Sequence, residues 1–488
     1  MAEKAWVPAS AGKRGRVVAA SLAALALVSC KAVGPDFQRP APPATAGYLM
    51  PGDAASPIAQ LSPDARVAGA WWKGFGSPQL DAVMTEALAG NQTVAEANAS
   101  LQRLRQLAIA THGAQLPQVD LNAMTEAERI NIASLGFSGF PNPTLGLYQI
   151  GGNVSYDADL FGGLRRNTEA ARATAEAQAR QADAAYLTLT GQVAMAALQI
   201  ATTRAQIAAA ERAVADDNRL IDVIHKAEGA GGEAPSATVS VRSQQAQDEA
   251  LLPPLRAQLA QARHQLAQLV GQAPADWTAP QFDLAGFASP AAVPVSLPSQ
   301  LVRRRPDILA AEASLHVATA RVGVASAALY PDIKLTANIE QTAIPPANLF
   351  TYGASGWTLA AGLTQPLFHG GTLRANKRAA IADAEAAYAR YRGTVLSAFT
   401  QVADVMAAIS QDDDEITALQ HAEAAAASAL HDDEAAFNLG GGPLLPVLDD
   451  ERNLELSRRA LAMQQGKRLA DIAQLYVATA ADWRDAKS

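Results

Sequence analysis

The 488-residue chain has a single cysteine, Cys30, and only 5% aromatic residues. A lone cysteine excludes an intramolecular disulfide and a cysteine-based zinc site. The seven histidines form no HExxH-type pair, so no catalytic zinc is predicted. The glycine-rich LGGGP (439–443) lacks the Lys-Ser/Thr of a phosphate-binding loop. We therefore expect neither an enzyme nor a bound cofactor.

Two further absences concern membranes and nucleic acids. A net charge of −8 does not favour nucleic-acid binding. No window of 18 or more purely apolar residues follows the first 29 residues, so a bundle of membrane-spanning helices is not predicted. The alanine-rich, aromatic-poor composition is typical instead of long, closely packed helices.

The surroundings of Cys30 are those of an exported protein. The basic stretch GKRGR (12–16) precedes about a dozen apolar or small residues (17–28), within the ~7–15 of a secretory signal and short of the ~20 of a spanning helix. The stretch LVSC that ends at Cys30 resembles a bacterial lipobox. This resemblance implies a lipoprotein signal peptide over 1–29 and a covalent diacylglycerol and N-acyl lipid on Cys30. The alternative is an ordinary buried free cysteine.

Two long segments have the seven-residue hydrophobic rhythm of coiled coils. Over 164–228, apolar residues recur every seventh position from Tyr186 to Ile221. Over 373–439, apolar residues alternate at spacings of three and four. These residues are Ile381, Ala384, Tyr388, Tyr391, Val395, Ala398, Val402, Val405 and Ile409. A mean period of 3.5 residues predicts long helices that pack in a left-handed coiled coil.

Glycine clusters follow both long segments. Glycine permits the positive φ of a tight reversal, which predicts a hairpin-tip turn after each helix. The turn residues are Gly231 and Gly232 in the first half and Gly440, Gly441 and Gly442 in the second. A return helix is predicted after each turn, over about 236–272 and about 443–481.

Four short segments alternate between apolar and polar residues. They cover 119–124, 148–157, 332–340 and 357–364. Strict alternation predicts half-buried strands, and ten or so residues match a strand of an outer-membrane barrel, apolar toward lipid and polar toward the lumen. The alternative is a soluble hairpin with one face on a core. Because ~8 strands are needed to close a barrel and lipid does not tolerate open edges, the barrel interpretation requires three chains and twelve strands.

The chain also has an internal duplication. The order helix, strand, strand, long helix, glycine turn, helix occurs twice. Pro117 in LPQVDLNA corresponds to Pro331 in YPDIKLTA, 214 residues later. We therefore divide the chain into an extended N-terminal segment (30–70), a first repeat (71–272), an equatorial linker (273–297), a second repeat (298–482) and a C-terminal tail (483–488).

Four motifs occur in an order typical of one family. They are VGPDFQRP (33–40), WWKGFGSPQLDAVMTEAL (71–88), DLFGG (159–163) and LPSQLVRRRPDILAAEASL (297–315). In this order they resemble the TolC-like outer-membrane efflux factors, specifically the NodT-type lipoproteins of RND efflux systems. The resemblance covers Cys30 to about Trp483.

This resemblance implies a homotrimer in the bacterial outer membrane. The fold would be mostly α with membrane β: four strands per chain form a twelve-stranded barrel, which continues into an α-helical periplasmic tunnel. The partners would be a periplasmic adaptor (membrane fusion) protein, an inner-membrane RND pump and outer-membrane lipid. The function implied is a passive exit duct for drugs or other small amphiphilic compounds. The alternatives are a duct for secreted proteins and, from another class, a lipid-anchored coiled-coil scaffold or adhesin without a pore.

The resemblance also implies a periplasmic aperture near the second glycine turn. Asp449 matches a family acidic position, and with Leu448 and Asp450 it makes the candidate aperture. The preceding acidic position is Pro446, and the arginine that commonly supports closure is Gly442. The resemblance therefore leaves undecided whether a second acidic ring is present, with Asp450 as a partial substitute for the missing carboxylate. The alternative role for Asp449 and Asp450 is to complement a helix dipole.

Two charged runs remain. The run Asp412 to Glu415 is predicted to be a solvated helix face, because a helix spreads adjacent carboxylates around its circumference. The run Arg303 to Arg305 precedes a Pro-Asp helix start that does not explain the arginines.

Overall fold

The computed structural model of the chain describes residues 32–54, 58–62, 69–131, 136, 142–229 and 235–479. The predicted signal peptide, Cys30, the turn residues Gly231 and Gly232, and the tail 483–488 lie outside the described residues.

The described residues are mostly helical. The helices are α1 (Pro78–Gly90), α2 (Gln92–Gly113), α3 (Gly163–Gly229), α4 (Pro235–Glu249), α5 (Leu252–Val270), α6 (Pro298–Arg304), α7 (Pro306–Ala327), α8 (Thr372–Asn438) and α9 (Leu444–Ala478). The strands are β1 (Ala59–Ser62), β2 (Gln118–Arg129), β3 (Thr144–Asp157), β4 (Val293–Ser296), β5 (Asp332–Ala343) and β6 (Ser355–Thr364). Each predicted long helix is one element of 67 residues.

The duplicated order is present in the structure. In the first half α2, β2, β3 and α3 precede the return helices, and in the second half α7, β5, β6 and α8 precede α9. By its contacts the chain divides into two compact units. The first unit comprises residues up to 39, 102–177 and 312–390, and the second comprises 40–101, 178–311 and 391 onward.

The first unit contains a four-stranded antiparallel sheet in the order β2-β3-β5-β6. The two halves of the chain meet between β3 and β5, where Val154 lies opposite Ala337. On either side, Val119 pairs with Val154 and Leu359 pairs with Ala337. Residues that pair directly across neighbouring strands project to the same face of the sheet, and they form cross-strand rows of four residues. Successive rows along the strands lie on opposite faces. The sheet therefore has one apolar and one polar face, as the alternation predicts.

The second unit has the main hydrophobic core. Val193 and Ile200 of α3 pack there with Val402 and Ile409 of α8 and Ile472 of α9, and all five side chains are fully or nearly fully buried. The heptad positions of α3 and α8 are thus core positions in this part of the helices. Trp71, which stacks on Tyr476 at 5.4 Å between ring centroids, belongs to the same core.

The first return helix is not continuous, and its prediction over about 236–272 is wrong in this respect. Helix α4 ends at Glu249 and α5 begins at Leu252. The reason is the pair Pro253-Pro254, since proline lacks the N–H for an interior helical bond and its ring clashes with the preceding turn. Both prolines are instead accommodated in the first turn of α5.

Short strands occur in two segments that alternation did not identify. Strand β1 lies in the predicted N-terminal segment and β4 in the predicted equatorial linker. They pair in parallel, with Ala59 opposite Val293 and Ser62 opposite Ser296. These two segments are thus joined by backbone hydrogen bonds within the second unit.

Within the described part of the chain, three helices are long and apolar enough to cross a membrane by length and composition. They begin at Gly163, Pro306 and Thr372, and the share of the apolar window that is buried is 67%, 56% and 39%. All three windows are rich in alanine, which raises hydropathy and also allows close helix packing.

Candidate functional site

The apolar face of the sheet is exposed in the single chain. Leu121, Ile339 and Trp357 lie in one cross-strand row, completed by Gly152, and are 79%, 66% and 79% exposed. In the next row Val119 and Leu359 are 72% and 74% exposed. A contiguous apolar surface of this kind indicates contact with a membrane or another protein.

The opposite face is mostly polar. One row runs across all four strands through Asp120, Asn153, Asn338 and Thr358. On the same face the side-chain amide of Gln149 on β3 donates to a carboxylate oxygen of Glu340 on β5 over 2.7 Å, which links two neighbouring rows. The two faces together match a wall with lipid on one side and water on the other.

The sheet has two open edges, β2 and β6. Their outward backbone groups have no strand partner in the described parts of the chain. An open edge is a template for pairing with another chain, and in lipid it is not tolerated. The single chain therefore has two strand edges available for pairing with another chain.

The segment that follows Cys30 is clamped to the first unit. The Arg166 guanidinium donates to a carboxylate oxygen of Asp36 over 2.6 Å and to the carbonyl oxygens of Val33 and Gly34 over 3.2 and 3.4 Å. The Cβ of any residue other than glycine at position 34 would come within 2.5 Å of the Gly323 backbone. The motif VGPDF thus fits a narrow groove.

Glu169 and His316 lie beside Arg166, and we call these three residues the N-terminal clamp. The Phe37 ring stacks on His316 at 4.4 Å, and Nε2 of His316 lies 2.8 Å from Glu169. Although burial would raise the pKa of Glu169, hydrogen bonds from Arg166 and His316 hold it below its ordinary value. The sequence did not reveal Arg166, Glu169 and His316 as contacts of the segment after Cys30. The only sequence signal for them was the pair of arginines after DLFGG.

The second glycine turn lies next to the candidate aperture. Gly440 adopts φ +72°, and the amides of Gly441 and Gly442 both donate to the carbonyl of Ala436. This is a helix end closed by a left-handed glycine. The positive φ is at Gly440, and neither Gly441 nor Gly442 has one.

The three candidate aperture residues differ in their surroundings. Asp449 is exposed and Asp450 is half-buried. Leu448 packs against a cluster of Ile224, Val241 and Leu444. Desolvation raises the pKa of Asp450, and a hydrogen bond with Asp433 and the charges of Asp433 and Asp449 add to the rise.

The prediction of a solvated acidic face is wrong at Asp412. This residue is 1% exposed, and it accepts hydrogen bonds from Gln464 over 2.7 Å and from Lys467. Asp413 accepts one from Arg468. The carboxylates can be buried because α9 places cations and an amide opposite them, which the α8 sequence alone does not reveal.

The structure also explains Arg305. Its guanidinium donates to Asp307 over 2.9 Å and to the backbone carbonyl of Ala478 at the end of α9 over 3.1 Å. A third contact reaches Gln401. The buried Arg305 side chain therefore links the start of α7 to the helices of the second-unit core by hydrogen bonds.

Comparison with known proteins places the chain in a family. The model of the outer membrane efflux protein family matches residues 83–272 and 297–481. The chain is 28% identical over 464 residues to the pyoverdine export outer membrane protein OpmQ of Pseudomonas putida, covering 94% of this chain and 96% of OpmQ. It is 28% identical over 461 residues to the cation efflux system protein CusC of Escherichia coli, covering 93% and 97%.

Solved structures agree. The fold is similar to the outer-membrane channel OprN with a TM-score of 0.85 and 27% identity, covering 93% of this chain and 99% of OprN. It is similar to CusC with a TM-score of 0.80 and 25% identity, covering 92% and 99%. With the two-faced sheet, the duplicated order and the match to both halves, the chain belongs to the outer membrane efflux protein family and is a TolC-like outer-membrane efflux duct.

Proposed function

We propose that three copies of this chain form a twelve-stranded barrel in the outer membrane, continued by a tunnel of long helices in the periplasm. The supporting observation is the four-stranded sheet, with an exposed apolar face, a polar face and two open edges. Three such sheets joined edge to edge leave no unpaired strand in lipid, and twelve strands enclose a water-filled lumen.

The duct carries small compounds outward without doing chemistry on them. The helical end docks on a periplasmic adaptor protein, and an inner-membrane RND pump supplies the driving force. Two of the relatives are named for pyoverdine export and cation efflux. These cargoes differ chemically, so we assign a broad class, small amphiphilic compounds, and no single cargo.

The test of the duct is conductance. We expect the purified protein to run as an SDS-resistant trimer and to form ion-conducting channels in planar bilayers. A monomer that never permeabilises liposomes would instead support a lipid-anchored scaffold.

We further propose that Asp449 from three chains lines the closed aperture and favours cations there. Its exposure next to the glycine turn supports this role. Asp449→Asn should lower cation selectivity in single-channel recordings, whereas Asp414→Asn, an exposed carboxylate on α8, should not. Unchanged selectivity in Asp449→Asn would refute the assignment.

Cys30 is the proposed acylation site. Hydrogen bonds hold the chain from Val33 onward, so a lipid on Cys30 would be attached three residues before a fixed segment. Cys30→Ser should abolish incorporation of radiolabelled palmitate, and persistent labelling would refute the anchor.

A further inference from the structure

A second acidic site lies in the second unit, next to the candidate aperture along α9. Helices α3, α4 and α9 surround a cavity of about 160 Å³. Asp217 of α3, Asp248 of α4, and Glu451 and Glu455 of α9 line this cavity. The side-chain amides of Gln244 and Gln247 are also in its wall. We call this space the α3–α4–α9 cavity.

Two oxygens in the cavity wall have no partner. Asp217 is 1% exposed and Glu455 is 6% exposed. Oδ2 of Asp217 and Oε2 of Glu455 are both buried and accept no hydrogen bond from any described residue. Burying a carboxylate oxygen without a donor costs free energy comparable to a lost charged hydrogen bond. The two oxygens are therefore acceptors in need of a donor.

The charges around the cavity do not supply that donor. Arg458 donates to the other oxygen of Glu455 over 2.6 Å, and Arg452 and Arg459 line the cavity without an ion pair to Asp217 among the described residues. Acidic groups outnumber basic ones on α3, α4 and α8, whereas α9 has three arginines and two glutamates near the cavity. The charged groups are Asp216, Asp217 and Arg212 on α3, Asp248 and Glu249 on α4, Glu434 on α8, and Glu451, Arg452, Glu455, Arg458 and Arg459 on α9.

The geometry disfavours a directly bound metal ion. Among the described residues, no three His, Cys, Asp or Glu side chains converge closely enough to hold one. The cavity, about 160 Å³, is several times larger than a bare ion. It suits a cation that reaches its acceptors through N–H donors over ~2.7–3.2 Å, farther than the ~2.0–2.6 Å of direct coordination to Mg²⁺ or Ca²⁺. A primary ammonium group has three N–H donors and a full positive charge.

We propose that the α3–α4–α9 cavity binds an aliphatic primary amine in its ammonium form. Two N–H groups donate to Oδ2 of Asp217 and Oε2 of Glu455, and the third donates to Asp248, Glu451 or a glutamine amide oxygen. The bound cation joins α3 to α9 at a point where their carboxylates otherwise repel. The amine thus stabilises this part of the helical assembly.

Calorimetric titration of the full-length, detergent-solubilised protein with 1,4-diaminobutane at pH 8.5 tests the proposal. We expect saturable binding to the wild-type protein. Asp217→Asn and, independently, Glu455→Gln should weaken it at least tenfold. Asp222→Asn, the same change at an exposed position on α3, should bind as the wild type does. Binding should also weaken at least tenfold at pH 5.5, where the carboxylates take up protons.

Other ligands separate the proposed contact from general charge effects. The bis-quaternary derivative of 1,4-diaminobutane, in which three methyl groups replace the hydrogens on each nitrogen, carries the same charge but no N–H donor, and we expect it to bind at least tenfold more weakly. Equal binding of the bis-quaternary compound, tighter binding of Mg²⁺, equal binding to Asp217→Asn, or no binding of diaminobutane to the wild-type protein would each overturn the proposal.

Discussion

At the scale of single residues, two buried aspartates show how differently a carboxylate can be accommodated. Asp412 on α8 is held by Gln464 and Lys467. Asp217 on α3 has an oxygen without a donor and faces further carboxylates. Desolvation, followed by the charges of Asp248 and Asp216, raises the pKa of Asp217 to about 7. Both aspartates have one buried oxygen without a donor among the described residues, but Asp412 has the cation of Lys467 against its other oxygen, whereas Asp217 faces further carboxylates.

The acidic cavity should therefore make stability depend on pH. Desolvation, then the charges of Asp217 and Asp216, raises the pKa of Glu451 to about 8. The unfolded chain releases these protons near pH 4. The protonated pair thus contributes stability that is full below pH 4 and is lost as pH rises through 7 and 8. We expect the melting temperature of amine-free protein to fall between pH 5 and pH 8.5.

Removing the titrating groups isolates this effect. The double variant Asp217→Asn/Glu451→Gln should lose most of the pH dependence and gain at least about 1.4 kcal/mol at pH 8.5, the equivalent of one pKa unit. Denaturant titrations at both pH values measure the gain. Asp222→Asn serves as the control, and a fall in melting temperature that persists in the double variant would contradict this account.

At the scale of elements, the structure adds detail at the ends of the helices and on the two faces of the sheet. The glycine cluster at 440–442 looks uniform in sequence, yet only Gly440 adopts a left-handed backbone there. The alternation in the strands predicts two faces, and the register shows that both halves of the duplication contribute to each face. The proline pair at 253–254 interrupts a helix that the heptad pattern continues. Glycine and proline thus determine where a helix ends, even where the hydrophobic repeat continues.

The turn prediction can be tested by alanine substitution. Gly440→Ala should cost about 1–2 kcal/mol, because a Cβ is unfavourable at φ +72°. Gly441→Ala should be nearly neutral, since an added Cβ would meet only the Ala436 carbonyl oxygen at 3.8 Å. Denaturant unfolding of the two variants provides the comparison, and equal costs would show that the turn does not depend on Gly440.

The two faces of β6 should respond oppositely to charge. Leu359→Arg places a cation on the apolar face and should destabilise the inserted barrel by about 2–4 kcal/mol if the position is near the bilayer midplane. Ala360→Arg, one residue later on the polar face, should insert nearly normally. Urea titration of the protein folded into lipid vesicles measures both. A larger loss for Ala360→Arg would mean that the faces are assigned the wrong way round.

At the scale of the whole molecule, the sheet is the part that a single chain leaves unfinished. Strands β2 and β6 are separated by β3 and β5, so they lie about 14 Å apart at ~4.8 Å per strand. A disulfide requires Cα atoms within about 7 Å. A disulfide between β2 and β6 can therefore form only between chains.

Cysteine pairs at these edges test the assembly. Asn122→Cys on β2, combined in turn with Thr358→Cys, Ala360→Cys or Gly362→Cys on β6, should yield oxidised dimers and trimers on denaturing gels for at least one register. The pair Ser155→Cys/Thr336→Cys, which lies directly opposite on β3 and β5, should cross-link within one chain and migrate as a monomer. Failure of every edge pair would argue against edge-to-edge closure.

The sequence alone determined the elements whose signals are local and periodic. Heptads predicted the two long helices, alternation predicted the four strands, and the lone cysteine with its lipobox predicted an anchor that stays a prediction. The partners of Asp412, Arg166 and Arg305, and the unpaired oxygens of Asp217 and Glu455, depended on the tertiary structure. Their contacts join residues far apart in the chain, and the free energy of a buried charge depends on what folding places opposite it.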